Sequence, residues 1–76
     1  MTTKKGYFAI RLRELRDEIG ISQAVLAERC DLHVGTIRQF EHGRREPTYE
    51  TLVKLAAGMG VSLSAFDPPK KPRRRK

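Results

Sequence analysis

Apolar residues recur at helical spacing from the start of the chain. In the first segment, four of them follow one another at intervals of three or four: Phe8, Leu12, Leu15 and Ile19. Charged residues occupy the positions between them, so this period predicts one amphipathic helix of about three turns. Gly20 is expected to end that helix, because glycine readily adopts the left-handed conformation of a C-terminal cap.

Capping and helix-ending residues divide the rest of the chain into short helices. Ser22 and Thr48 are expected to cap the second and fourth helices, and Ser62 a final short turn. Gly43 and Gly60 are expected to end the third and fourth helices. The apolar positions of these elements are Leu26, Ala27, Cys30, Ile37, Phe40, Leu52, Leu55, Ala56, Met59, Leu63 and Phe66. No β-alternation appears, so five short helices with short links predict an all-α bundle.

Charge is concentrated at the C-terminal end of the chain. The net charge is +7, and residues 70–76 hold six of the sixteen basic residues. Residues 1–69 therefore carry ten basic residues against nine acidic ones. We predict a flexible basic arm at 1–6, a folded domain at 7–67 and a disordered basic tail at 68–76. The tail is interpreted in three ways: an arm on DNA phosphates, a solvated end, or a contact for an acidic partner protein.

Composition excludes several classes of protein. A chain of 76 residues allows one small domain. A single Cys30 and two histidines provide neither a disulfide framework nor a four-ligand zinc site, so we predict no metal and no cofactor. Cys30 itself is expected in the core. A catalytic triad would have to combine Ser22 or Cys30 with His33 and Asp31. Their side chains would not converge on a helix-turn, so catalysis is not expected. No apolar run approaches the roughly 18 residues of a membrane span. No apolar segment follows the two lysines near the start of the sequence, so a secretory signal is not expected. A cytoplasmic protein is therefore expected.

The spacing Ala27–Leu32–Ile37 indicates a helix-turn-helix. Two helices that cross at a tight turn need a small residue at the crossing and an apolar residue in the turn. Ala27 and Leu32 fill these two positions, and Ile37 supplies the inward residue of the second helix. The third helix of the chain therefore has a defined outer face.

That outer face carries side chains suited to base edges. With Ile37 inward, the opposite positions are Gly35, Arg38, Gln39 and His42, flanked by Val34 and Thr36. Arginine can pair with guanine, glutamine with adenine, and a valine methyl can contact a thymine methyl. A solvated polar face without a partner is the alternative interpretation.

Residues 8–66 resemble the phage repressor and Cro-type family of helix-turn-helix proteins, also called the XRE family. The segments that carry the resemblance are Leu12-Arg13-Glu14-Leu15-Arg16, Ile21-Ser22-Gln23, Leu26-Ala27-Glu28, Ile37 to Gly43, Pro47, Glu50-Thr51-Leu52, Lys54-Leu55-Ala56 and Gly60-Val61-Ser62. The resemblance implies a five-helix, lambda-repressor-like bundle whose third helix enters the major groove of double-stranded DNA. It also implies a homodimeric transcriptional regulator.

Roles for individual residues follow from the same resemblance. The implied base-reading residues are His33, Val34, Gly35, Arg38 and Gln39. The implied phosphate contacts are Gln23, Thr36, His42, Arg44 and Arg45. Arg16 and Glu41 correspond to a structural ion pair, and Val61, Leu63 and Phe66 to a possible dimer contact. A core position is the alternative interpretation for Phe66. Two positions depart from the family pattern: Asp31 replaces the usual turn glycine, and His33 stands where serine or threonine normally caps the third helix.

The sequence thus predicts a sequence-specific, double-stranded DNA-binding transcriptional regulator, with repression favoured. One alternative is an antitoxin-type interaction module that also binds DNA and has an unknown protein partner. The other is a nonspecific nucleic-acid binder driven by the basic tail. No membrane role is expected, because no large apolar face adjoins the tail.

Overall fold

A computed structural model describes residues 4–67, which form an all-α fold without strands in that range. Its four α-helices are α1 (Lys4–Ile19), α2 (Gln23–Cys30), α3 (Val34–Glu41) and α4 (Tyr49–Met59). A short 3-10 helix, Leu63–Phe66, follows α4. None of the helices described is long and apolar enough to cross a membrane.

Two predicted boundaries differ from the structure. The expected fifth helix is a 3-10 helix of four residues, closed by a hydrogen bond from Ala65 N to Ser62 O (3.0 Å). Two prolines come directly after Asp67, and proline cannot continue a helix. At the other end α1 begins at Lys4, inside the segment expected to be an arm, because no helix-breaking proline precedes Phe8. Residues 1–3 and the basic tail at 68–76 lie outside the described residues.

All five elements contribute to one core. Leu12, Leu26, Ile37 and Leu55 have no exposed surface. The ring of Phe8 meets that of Phe40 edge-on at 5.6 Å between centroids. The sequence placed Ile19 in this core, but Ile19 is 37% exposed. The inner side of the last turn of α1 is occupied instead by Arg16, which pairs with a carboxylate of α3.

The helix-turn-helix is held by local hydrogen bonds at its turn. The Ser22 side chain caps α2 by accepting a hydrogen bond from Val25 N, as predicted. Asp31 then adopts the left-handed conformation (φ 58°, ψ 46°), and Leu32 N donates to Ala27 O at 2.9 Å. Asp31 is the one described non-glycine residue with a positive φ. This turn sets the angle at which α3 leaves α2.

Helices α2 and α4 approach closely at Gly58. A Cβ atom at this position would lie 2.5 Å from Cys30 Sγ, a distance that packed atoms do not tolerate. Cys30 is 2% exposed, and burial raises the pKa of its thiol, as expected for a core residue. The absence of a side chain at Gly58 therefore allows α4 to support α2.

Candidate nucleic-acid interface

The outer face of α3 is open to solvent along its length. Ile37, Phe40 and Glu41 face the core, and each is at most 8% exposed. The residues that face outward are exposed: His33, Gly35, Arg38, Gln39 and His42. Val34 and Thr36 are half-buried at the edge of this face. The structure thus brings four of the five residues expected to read bases onto one surface, and the fifth, Val34, packs against the core at its edge.

A buried ion pair fixes α3 against α1. Arg16 Nε donates to Glu41 Oε2 at 2.6 Å, and Arg16 Nη2 donates to Glu41 Oε1 at 3.0 Å. Arg16 Nη1 also donates to the carbonyl oxygen of Ile21 at 3.0 Å. Two parallel hydrogen bonds between a guanidinium and a carboxylate fix orientation as well as distance. Arg16 and Glu41 therefore form the structural pair that the resemblance implied.

Gln23 joins this pair, a contact for which the sequence held no signal. Gln23 Nε2 donates to Glu41 Oε1 at 2.9 Å, so one carboxylate contacts α1 and the first residue of α2. Gln23 is half-buried, and its expected phosphate contact remains a prediction. The Glu41 contact fixes the side chain at the start of α2, where backbone N–H groups favour an anion.

The ionisation of the pair follows from these contacts. Burial acts to raise the pKa of Glu41, but the hydrogen bonds from Arg16 and Gln23 outweigh it and hold that pKa below its ordinary value. The hydrogen bond to Glu41 raises the pKa of Arg16 in turn. Both groups are charged at neutral pH, and the network is fully formed.

The N-terminus of α3 has a weak cap, as the sequence predicted. His33 occupies the N-cap position with φ −80° and ψ 145°, and its side chain makes no capping hydrogen bond within residues 4–67. Its carbonyl accepts from Thr36 N (3.0 Å) and Ile37 N (3.3 Å). The N–H groups of Val34 and Gly35, which precede these, have no partner inside the helix and are available to an anion.

The loop after α3 carries two arginines in different settings. Arg44 and Arg45 are both exposed. The Arg45 guanidinium carbon lies 6.0 Å from the centre of the Phe40 ring, and Arg45 Nη1 lies 3.5 Å from Gln39 Oε1. Arg45 is therefore in contact with α3 itself, which the sequence had not indicated.

The expected dimer contact needs one correction. Phe66 is 6% exposed, and its ring lies 5.6 Å from that of Phe8, so it is a core residue of the single chain. Val61 and Leu63 are half-buried against the same core. Residues three apart lie on the same side of a 3-10 helix, so Phe66 faces the core together with Leu63.

The described part of the chain holds no cluster of potential metal ligands. It contains no group of three or more histidine, cysteine or acidic residues that could hold an ion. The outer face of α3 and the following loop expose hydrogen-bonding groups and cations, among them Arg38, Gln39 and Arg44. Such groups are suited to contact with phosphates and base edges.

Comparison with known proteins identifies the family that the chain matches. The family model described as helix-turn-helix matches residues 12–66. A curated relative is the HTH-type transcriptional regulator RamB of Mycobacterium tuberculosis, 36% identical over 62 residues, which are 82% of this chain and 13% of RamB. The chain thus spans about an eighth of the length of that relative.

Among the solved structures that share the fold, two are also similar in sequence over most of this chain. The restriction-modification controller protein C.AhdI from Aeromonas hydrophila is 31% identical, with a TM-score of 0.79 that covers 82% of this chain and 94% of the controller. A helix-turn-helix transcriptional regulator from Vibrio cholerae is 35% identical, with a TM-score of 0.79 over 82% of this chain and 35% of its own.

Proposed function

The chain belongs to the helix-turn-helix family, and we propose that it is a sequence-specific, double-stranded DNA-binding transcriptional regulator. In this proposal α3 enters the major groove, where its outer face reads base edges. Binding itself is the activity, with no catalytic step and no cofactor. The proposal places the protein in the cytoplasm, together with the DNA.

The observation that carries the proposal is the division of α3 into two faces. One face is held by the core and by the bidentate pair between Arg16 and Glu41. The other exposes Arg38 and Gln39, whose side chains can make the paired hydrogen bonds that distinguish bases. A helix fixed on one side and polar on the other presents its side chains at constant spacing. Constant spacing is what the recognition of successive base pairs requires.

We further propose that the regulator acts as a homodimer and as a repressor. Val61, which precedes the 3-10 helix, and Leu63, its first residue, are half-buried and are the candidate contact residues. Two copies would place two α3 helices on a two-fold operator, about one turn of DNA apart. A dimer bound there would block access of the polymerase.

Selection from a random duplex library at about physiological salt tests this function. The full chain is compared with a full-length variant in which the six basic residues of 70–76 are replaced by glutamine. A two-fold palindrome enriched by both proteins is the expected result. If neither protein enriches a sequence and the tail variant no longer binds, the tail alone binds nucleic acid and α3 does not recognise bases. Sedimentation equilibrium of the full chain, with and without the selected duplex, tests the dimer.

A further inference from the structure

The turn after α3 holds the next residues of the loop beside the helix. Gly43 adopts the left-handed conformation (φ 74°), and Arg44 N donates to Gln39 O at 2.9 Å. Gly43 N also donates to Phe40 O at 3.1 Å. These two hydrogen bonds form the Schellman motif that commonly ends a helix. The chain therefore leaves α3 in a fixed direction, and Arg45 follows directly.

Two contacts give the Arg45 side chain a defined position. Its guanidinium lies over the ring of Phe40, at 6.0 Å from the ring centre, where a cation is attracted to the face of the ring. Phe40 is 2% exposed and packs edge-on against Phe8, so the ring is itself fixed. From this position Arg45 Nη1 lies 3.5 Å from Gln39 Oε1.

The contact makes the two arms of the Gln39 amide unequal. An unconstrained glutamine pairs with adenine by using both arms, the oxygen as acceptor and the nitrogen as donor. In this structure the oxygen already faces an arginine donor, whose positive charge disfavours the approach of a second donor, so the –NH₂ group on the opposite arm is the better one for a base. In the major groove guanine presents two acceptors, N7 and O6, whereas adenine presents one acceptor and one donor.

We propose that Arg45 is a positioning residue for Gln39, and that the pair makes Gln39 select guanine over adenine. This inference rests on the proposed function, since it concerns the base contacted by α3. It also gives Arg45 a role beyond the phosphate contact expected from the sequence. Arg44, its neighbour in the same exposed loop, provides the comparison, because it carries the same charge but contacts Gln39 through its backbone N–H and not through its side chain.

The test is selection of duplex sequences with the full chain and four variants: Gln39→Ala, Arg45→Ala, Arg45→Lys and Arg44→Ala. Gln39→Ala identifies the base pair that Gln39 contacts, as the position where preference is lost. Circular dichroism checks that each variant retains its helices. The wild type is expected to prefer guanine at the identified position by about fivefold or more.

Arg45→Ala is expected to reduce that preference at least about fivefold. Without Arg45 the Gln39 amide can turn and pair with adenine as well as with guanine. Arg45→Lys, which keeps the positive charge and a donor group, is expected to retain part of the preference. Arg44→Ala is expected to weaken binding to all sequences without changing the preferred base.

Several results would overturn the inference while leaving the proposed function intact. One is that the wild type prefers adenine at the position that Gln39 contacts. Another is that Arg45→Ala and Arg44→Ala lower the affinity equally and leave the preferred bases unchanged. An unchanged motif in Gln39→Ala would overturn it too. Failure of the wild type to enrich any motif would overturn the proposed function and this inference together.

Discussion

Arg16 Nε and Glu41 Oε2 lie 2.6 Å apart, and this contact joins the last turn of α1 to the last residue of α3. The Glu41 side chain is 3% exposed and that of Arg16 13%, so the pair is shielded from water on most sides. Glu41 also accepts a hydrogen bond from Gln23 at the start of α2. One carboxylate thus fixes three helices relative to one another, including the helix proposed to contact DNA.

Acid should weaken the fold through Glu41. Its pKa is lowered in the folded state, because the hydrogen bonds from Arg16 and Gln23 outweigh burial. Its contribution to stability is therefore present above its unfolded pKa and is lost as the pH falls through its folded pKa. We expect Glu41→Gln to lower the free energy of unfolding at pH 7 by about 3 kcal/mol. The variant should also lose less stability than the wild type below about pH 5.

Urea unfolding at several pH values measures both effects. Glu14→Gln is the matched control, because Glu14 pairs with Arg11 (3.1 Å) on the exposed side of α1 and such pairs contribute little. A Glu41→Gln protein whose stability fell with acid as steeply as that of the wild type would contradict the assignment.

Arg38→Ala should relax base preference at one position of the selected sequence. The side chain is exposed on the outer face of α3 and is suited to a bidentate contact with guanine. We expect a loss of about 1–3 kcal/mol on the preferred duplex and a smaller loss on duplexes altered at that position. Titration of both duplexes measures the difference, with Lys54→Ala, an exposed cation of α4, as control. Equal weakening on all sequences would assign Arg38 to phosphate contact.

Gly58→Ala should destabilise the protein, although alanine normally favours a helix over glycine by about 1 kcal/mol. The new Cβ would lie 2.5 Å from Cys30 Sγ, so α4 or α2 would have to move. We expect a loss of about 1–3 kcal/mol in thermal or urea unfolding. Cys30→Ala should offset part of this loss in the double variant, because it removes the sulfur. Additive losses would show that the two positions do not interact.

Asp31→Gly should stabilise the helix-turn-helix by up to about 1 kcal/mol. Asp31 is held at φ 58°, where glycine is free of the strain felt by other residues. Its negative charge also lies at the C-terminal end of α2, the end that favours positive charge. Asp31→Asn removes the charge but keeps a side chain of the same size. Its melting temperature is expected to lie between those of the wild type and the glycine variant. A glycine variant less stable than the wild type would show that the aspartate side chain supports the turn.

The basic tail, which lies outside the described residues, should change the salt dependence of binding more than its specificity. If all six charges of residues 70–76 contact phosphates, their replacement by glutamine should reduce the slope of log affinity against log salt by about five. Titration of the selected duplex at several salt concentrations gives the slope. An unchanged slope would mean that the tail does not contact the DNA.

The elements that the sequence predicted correctly depend on local signals. Ser22 and Thr48 cap their helices through hydrogen bonds to residues three positions ahead, and Gly60 ends α4 in the left-handed conformation. Such contacts depend on residue type and spacing within a few positions, so the sequence shows them directly. The start of α2 and both ends of α4 follow from these three residues.

The features that were missed depend on partners far along the chain or across a turn. Ile19 was expected in the core, but the inner side of α1 is occupied there by Arg16, whose partner lies 25 residues away. The contact of Gln23 with Glu41 spans 18 residues and carries no periodic pattern. The contact between Arg45 and Gln39 depends on the direction of the turn between them, which only the folded chain defines.

The residues that hold α3 in place and those that it exposes are separate sets. Ile37, Phe40 and Glu41 contact the rest of the protein, whereas Arg38 and Gln39 face solvent. Substitutions on the exposed side therefore cost little in folding, since surface changes away from special contacts alter stability by about 0.5 kcal/mol or less. The outer face can diversify, by mutation or by design, while the scaffold beneath it stays the same. A library built on those exposed positions would thus yield proteins that fold alike and differ in the sequences they select.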